Sequence, residues 1–285
     1  MLPNYSILHK QDIFITEKYE PDIRRDELSF LSRSFERHFN ERPYLHHTCY
    51  LFLTKTTKER SRQQSNWNTL CRGFLVPKEI RDKETVERFM EAVGQFESIV
   101  NDSGLVRLER LTTEEITGTE NEPGIIERYL TLSADGTPML QDMQLNPDEM
   151  RIGDKRLCLH TLSDLDDLPG KVKTDGRYER LSTDRSDCRL SYAAPVGVML
   201  PCDHIYNQWI FIDDSNENLS RFEKAAKNMQ SLSRYSRSNQ INKEWLDEYL
   251  NEAHSNGLQS VRCHCNIIAW AENGHELRRV KNDVG

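Results

Sequence analysis

The chain has 285 residues, with 38 Lys and Arg against 46 Asp and Glu, a net charge of -8 and 36% apolar residues. This length suits one large domain or two ordinary ones, and the acidic balance argues against a protein whose whole surface grips nucleic acid. Seven cysteines, an odd number without framework spacing, point to a reducing, cytoplasmic setting rather than a disulfide scaffold. No run approaches the roughly 18 apolar residues of a membrane span, and the first 20 residues lack the continuous apolar stretch of a signal peptide.

In chain order, Tyr5 to Ile15 reads as a strand. Leu28, Leu31, Phe35 and Phe39 repeat at helical spacing and halt before Pro43. Thr48 to Thr54 is short, β-branched and aromatic, which predicts a second strand. From Glu84 to Val100 the residues Val86, Phe89, Met90, Val93, Phe96 and Val100 form one stripe on a 3.6-residue period. Thr117 to Gly124 and Asp164 to Gly176 are polar loop candidates, and Lys155 to Leu162 between them alternates as a strand does.

Ile205 to Ile212 is made almost wholly of strand formers. Phe222, Ala225, Ala226, Met229 and Leu232 give a further helical stripe, preceded by the capping-box-like run Asp214 to Glu217. Asn242 to His254 carries Trp245, Leu246, Tyr249 and Leu250, and Gly257 is its stop signal. In Ser260 to Trp270 the side chains of Val261, Cys263, Cys265 and Ile267 share one face. Leu277, Val280 and Val284 close the chain on an amphipathic helix. Strands and helices alternate without a regular βαβ beat, so the expected fold is α+β: a mixed or mostly antiparallel sheet packed with amphipathic helices. Two α+β subdomains are expected, over 1–150 and 151–285.

The chemistry-bearing motifs are sparse. A P-loop needs G-x-x-x-x-G-K-[ST], and Gly170-Lys171, the one Gly-Lys pair, is followed by Val172 and has Leu165 in the first glycine's place. No G-x-G-x-x-G occurs. Ala253-His254-Ser255-Asn256-Gly257 misses the nucleophile elbow and lies at a helix end, and a calcium loop from Asp214 fails at Leu219 and Ala225. Cys158 with His160, Cys202 with His204, and Cys263 with Cys265 supply zinc-type ligands without C-x-x-C or H-x-x-x-H spacing. Free cysteine is commonly a small buried hydrophobe, which is the competing reading. Asp164, Asp166 and Asp167, and the run Thr183 to Asp187, read as solvated turn formers. The basic runs Lys55 to Arg62 and Arg234 to Lys243 are the candidate phosphate contacts, with Arg234, Arg237 and Lys243 as the named residues and Tyr235 for stacking. No residue is assigned a catalytic, cofactor-binding or metal-binding role.

Long stretches resemble the amino-terminal half of the TraG proteins of conjugative transposons, relatives of the VirB/TrbE-type ATPases of type IV secretion. They are Ser29 to Arg60 (SFLSRSFERHFNERPYLHHTCYLFLTKTTKER), Met150 to Gly170 (MRIGDKRLCLHTLSDLDDLPG), Arg177 to Ser215, and Asn228 to Trp270, which includes SLSRYSRSNQINKEWLDEYLNEAHS. The resemblance implies a non-catalytic interaction module of a conjugative DNA-transfer machine. Its partners would be channel subunits at the inner membrane and neighbouring protomers, and its place cytoplasmic, peripheral to that membrane through protein partners. ATP and magnesium are expected only in a carboxy-terminal RecA-like domain beyond Gly285, as this sequence stops before the family's P-loop. The alternatives are a single-stranded-DNA-contacting module of the same machine and a stand-alone Cys/His metalloprotein.

Overall fold

The computed structural model of the chain describes residues 2–19, 29–40, 42–58, 81–132, 142–146, 150–161, 177–179, 182–189, 197, 199–232 and 235–284. Their elements are β1 (Ser6–Glu17), α1 (Phe30–Asn40), β2 (Tyr44–Lys55), α2 (Lys83–Asp102), α3 (Thr113–Thr117), α4 (Ile125–Thr131), β3 (Met143–Leu145), β4 (Met150–Ile152), β5 (Lys155–Thr161), β6 (His204–Ile212), α5 (Ser215–Leu232), α6 (Arg237–Asn256), β7 (Val261–Ala271) and α7 (Gly274–Val284). The fold is α+β. Seven antiparallel strands form one sheet in the order β2-β1-β6-β7-β5-β4-β3. The loop candidate Asp164 to Gly176 lies outside the described residues, as do Leu28 and the stretch 59–80.

The chain forms two compact units, each gathered from three segments. One comprises Met1–His9, Leu51–Leu108 and Trp209–His264; the other comprises Lys10–Tyr50, Glu109–Gln208 and Cys265–Gly285. Strands β1, β2, β6 and β7 contribute residues to both.

In the second unit the alternation of strand side chains makes two cores, one on each face of the sheet. In the β5–β7 register Leu157 pairs with Trp270 and Cys158 with Ala269. Leu157 and Trp270 join Ile205, Ile152 and Leu132 in one core, while Cys158 and Ala269 join Tyr206, Ile267 and Leu200 in the other. Helix α7 covers that second core with Leu277 and Val280. The Oδ1 of Asn273 caps α7 by accepting the amides of His275 (3.2 Å) and Glu276 (2.9 Å). β4 and β5 form a hairpin across Gly153 and Asp154, with Gly153 at φ 55, the left-handed geometry a two-residue turn requires.

In the first unit α5 and α6 pack as an antiparallel pair. Phe222 meets Tyr249 edge to face at 5.5 Å, and Ala226, Leu250 and Ala253 are buried. Asp214 caps α5 through its Oδ1, which accepts the amides of Asn216 and Glu217. Gly257 ends α6 at φ 60, so the run Ala253 to Gly257 is a helix stop. A row of rings crosses the sheet in strand order, Phe52 on β2, His9 on β1 and Trp209 on β6 stacked and His264 on β7 tilted against Trp209. His9 lies 4.6 Å from Trp209 and 5.3 Å from Phe52.

Candidate functional site

Of the basic residues singled out above, Arg237 opens α6 and is exposed, and Lys243 pairs with Asp247 at 3.2 Å one turn along the helix. Arg234 lies outside the described residues. The other basic run begins at Lys55, whose ammonium donates to the Asn4 carbonyl and lies 5.6 Å from the centre of the Tyr5 ring. Burial lowers the pKa of Lys55. Lys58 pairs with Glu217 at 2.7 Å, and 59–62 lie outside the described residues.

One cysteine of each pair, Cys158, Cys202 and Cys265, packs into a single core. Among the described residues no group of three His, Cys, Asp or Glu side chains could hold a metal ion. His204 is fully buried, its Nδ1 2.7 Å from the Cys202 carbonyl and its Nε2 2.6 Å from the Gly197 carbonyl. Both ring nitrogens face backbone carbonyl oxygens, so neither nitrogen is presented to a metal. Burial pushes the Cys202 thiol up to about 11 and raises Cys158 and Cys265 as well. These thiols pack as small hydrophobic groups in the core. The acidic group Asp164, Asp166 and Asp167 lies outside the described residues. Thr183 and Ser186 close a tight turn through a backbone bridge, matching the turn-former reading of that run.

A cluster that sequence reasoning did not single out lies on adjacent β1 and β2. Asp12, 5% exposed, receives the Lys10 ammonium and lies 2.9 Å from His47 Nε2, while the Cys49 thiol hydrogen-bonds to the same carboxylate. Burial raises the Asp12 pKa, but these hydrogen bonds and the Lys10 charge outweigh it and hold the carboxyl below its usual range. Cys49 is an exposed residue, but partial burial of its thiol and the Asp12 charge drive it the other way, to about 11. Cysteine, histidine and aspartate thus stand together, yet the thiol stays protonated and the histidine faces the acid instead of the sulfur. A cysteine nucleophile needs the reverse arrangement.

On the opposite face of the same strands a cavity of about 150 Å³ opens. Ile13 and Ile15 of β1, Ile205, Trp270 and Leu132 form its apolar floor, and Glu17, His46, Thr48, Tyr50 and Arg128 its polar rim. The two-residue period of each strand places Ile13, Ile15 and Glu17, and likewise His46, Thr48 and Tyr50, on this one face. Glu17 accepts from the Tyr44 hydroxyl at 2.9 Å and lies 3.6 Å from His46 Nδ1. Arg128 donates from Nε to the Pro123 carbonyl. The alternation in β1 and in β2 marks which residues of each strand share a face, but not that the two strands are neighbours. The cavity has the size of one apolar side chain.

Two helices add broad apolar surface. Neither α1 nor α2 fully buries a residue. Phe30, Leu31 and Phe35 of α1 are exposed, Phe30 at 82%, as are Val86, Met90 and Ile99 of α2. The chain is matched by no protein-family model and by no curated protein. No helix of the described residues is long and apolar enough to cross a membrane.

Proposed function

We propose that this chain is the non-catalytic amino-terminal interaction module of a conjugative DNA-transfer ATPase of the TraG kind, contacting secretion-channel subunits and neighbouring protomers. The TraG-like stretches quoted above motivate the reading. The observation that supports it best is the exposed apolar face of α1, where Phe30, Leu31 and Phe35 stand in solvent on a helix that fully buries no residue. Isolated apolar side chains on a surface are ordinary, but a large apolar stripe along an amphipathic helix marks a surface that another chain covers. The side-chain-sized cavity beside His46 and Tyr50 belongs to the same unit and offers a socket of the kind that anchors an interface.

The test is partner capture in the native host, with the tagged chain and a Leu31→Ser/Phe35→Ser variant compared. Channel subunits retained by the unaltered chain and lost with the variant are the expected result. Capture indifferent to these substitutions would remove α1 from the interface. ATP hydrolysis by a clean preparation, abolished by a point substitution within the chain, would overturn the reading altogether.

A further inference from the structure

The connection between α5 and α6 combines positive charge with apolar exposure. From Lys224 to Lys243 the described residues include four cations, Lys224, Lys227, Arg237 and Lys243, and no carboxylate, in a chain whose net charge is -8. The flanking acids are Glu223 and Glu244. At 1.5 Å per residue they lie about 13 Å and about 10 Å back from the helix ends that face the connection, so the tip is an acid-free cap. Lys224, Lys227 and Arg237 have no ion-pair partner among the described residues.

Large apolar and aromatic side chains project from the same cap and, with Trp245, from the α6 turn just behind Glu244. Leu232 ends α5 at 49% exposure, Tyr235 in the connection is 85% exposed, and Ile241 and Trp245 on α6 are exposed by 38% and 46%. Ile241 and Trp245 follow Arg237 at successive four-residue steps, on one stripe of α6. Leu232, Tyr235 and Ile241 fall within about 6 Å of the helix ends, and Trp245 about 12 Å along. Apolar groups at the tip, a tryptophan at the collar and cations around them reproduce the vertical order of a lipid interface: acyl boundary, headgroup level and anionic phosphates.

We infer that the α5–α6 tip is a contact site for the surface of an anionic phospholipid bilayer. Charge complementarity selects an anionic partner. The exposed aliphatic Leu232 and Ile241 favour lipid over single-stranded nucleic acid, for a nucleotide stacks on Tyr235 or Trp245 but gains little from a branched aliphatic chain. The inference is independent of the function proposed above, since partner capture through α1 and lipid binding through the α5–α6 tip are read in separate experiments on separate surfaces.

The experiment is sedimentation of the full chain with vesicles of equal parts phosphatidylglycerol and phosphatidylcholine, beside vesicles of phosphatidylcholine alone. Three variants accompany it: Leu232→Ser/Tyr235→Ser/Ile241→Ser, Lys227→Gln/Arg237→Gln, and, as a control remote from the tip, Leu31→Ser/Phe35→Ser. Binding to the anionic vesicles alone is expected, weakened by salt and lowered about tenfold by either tip variant but unchanged by the control. All substituted positions are exposed or half-buried, and circular dichroism of each variant verifies the fold. No binding to anionic vesicles at low salt, or binding that both tip variants retain, overturns the inference. So does salt-sensitive binding of a single-stranded oligonucleotide that the tip variants lose while no vesicle binding is seen.

Discussion

The Nε2 of His47 lies 2.9 Å from the Oδ1 of Asp12, and the same carboxylate receives the Lys10 ammonium and the Cys49 thiol. A carboxylate 5% exposed and served by three donors ties β1 to β2 by polar contact. Asp12→Ala is expected to cost about 1–3 kcal/mol in urea unfolding, since it strands partners that are themselves half in water. The pH dependence follows from the direction of the shift. The folded carboxyl titrates below its ordinary 3.8, so as pH falls the unfolded chain takes up the proton first. The stabilisation is complete above about pH 4 and is lost through the lower folded value; in Asp12→Asn this part of the acid decline disappears. The same substitution removes one of the two main causes holding Cys49 near 11, burial being the larger. Iodoacetamide labelling of Cys49 at pH 8 should therefore quicken about three- to tenfold in Asp12→Asn. A labelling rate that the substitution leaves unchanged would mean that burial alone governs the thiol.

His204 supplies a second pH dependence, centred higher. Burial lowers its pKa from 6.5, and the Cys202 and Gly197 carbonyls recover only part of that shift. A base with a depressed folded pKa stabilises the native state fully above its unfolded value and loses that contribution as pH falls through the folded one. The urea midpoint should therefore drop between pH 7 and pH 5. His204→Gln, which keeps a donor for one carbonyl and cannot charge, should flatten the drop while lowering stability at pH 7. His160, also lowered by burial and then by Lys281, leaves a residual slope. An unchanged slope in His204→Gln would place the titration elsewhere.

The long elements were legible in the sequence because each carries its own period. The stripe from Val86 to Val100 lies within α2, and the alternation of Ser260 to Trp270 becomes β7, whose Cys265, Ile267 and Ala269 face one core while Ile268 and Trp270 face the other. The helix predicted over Asn242 to His254 starts five residues earlier, at Arg237 after Ser236, because its first turn of polar residues carries no apolar stripe to extend the period. Helices α3 and α4 and strands β3 and β4 were not legible. At three to seven residues they are too short to show a period, and local bonds such as the Thr112–Glu115 capping box hold them. The Asp12 cluster and the Glu17 rim depend on β1 lying against β2, and strand order is a matter of topology that no local pattern encodes.

Two glycines separate backbone conformation from space. At Gly257, φ is 60 and no atom lies within 4 Å of where a Cβ would sit, so Gly257→Ala carries only the left-handed backbone cost, about 1 kcal/mol. At Gly124 a Cβ would lie 2.3 Å from the Gly118 amide nitrogen and 2.5 Å from the Ile116 carbonyl oxygen. Both are backbone atoms, so no side chain can move aside, and Gly124→Ala must open the α3–α4 corner. The expectation is a small shift of the global urea midpoint for Gly257→Ala, and for Gly124→Ala a loss of amide-exchange protection centred on residues 112–132. Equal effects from the two substitutions would contradict the packing of that corner.

The amide chain of β1, β6 and β7 gives the sharpest test of the sheet order. Gln11 donates to the Asn207 side-chain carbonyl at 3.2 Å, and Asn207 donates to that of Asn266 at 3.0 Å. Gln11 and Asn207 are buried, and the Gln11 Oε1 already has no hydrogen-bond partner. Asn207→Leu removes the acceptor for Gln11 Nε2 as well, leaving a buried amide with neither end satisfied. A loss of about 2–3 kcal/mol is expected, most of it the desolvation cost of the stranded groups. Gln11→Leu made alone deletes an amide that is only half satisfied and should cost less. In Gln11→Leu/Asn207→Leu the two apolar side chains meet across β1 and β6, so the double variant should be more stable than Asn207→Leu alone. Strict additivity of the two losses would mean that these side chains do not touch, and the β1–β6 pairing itself would then be wrong.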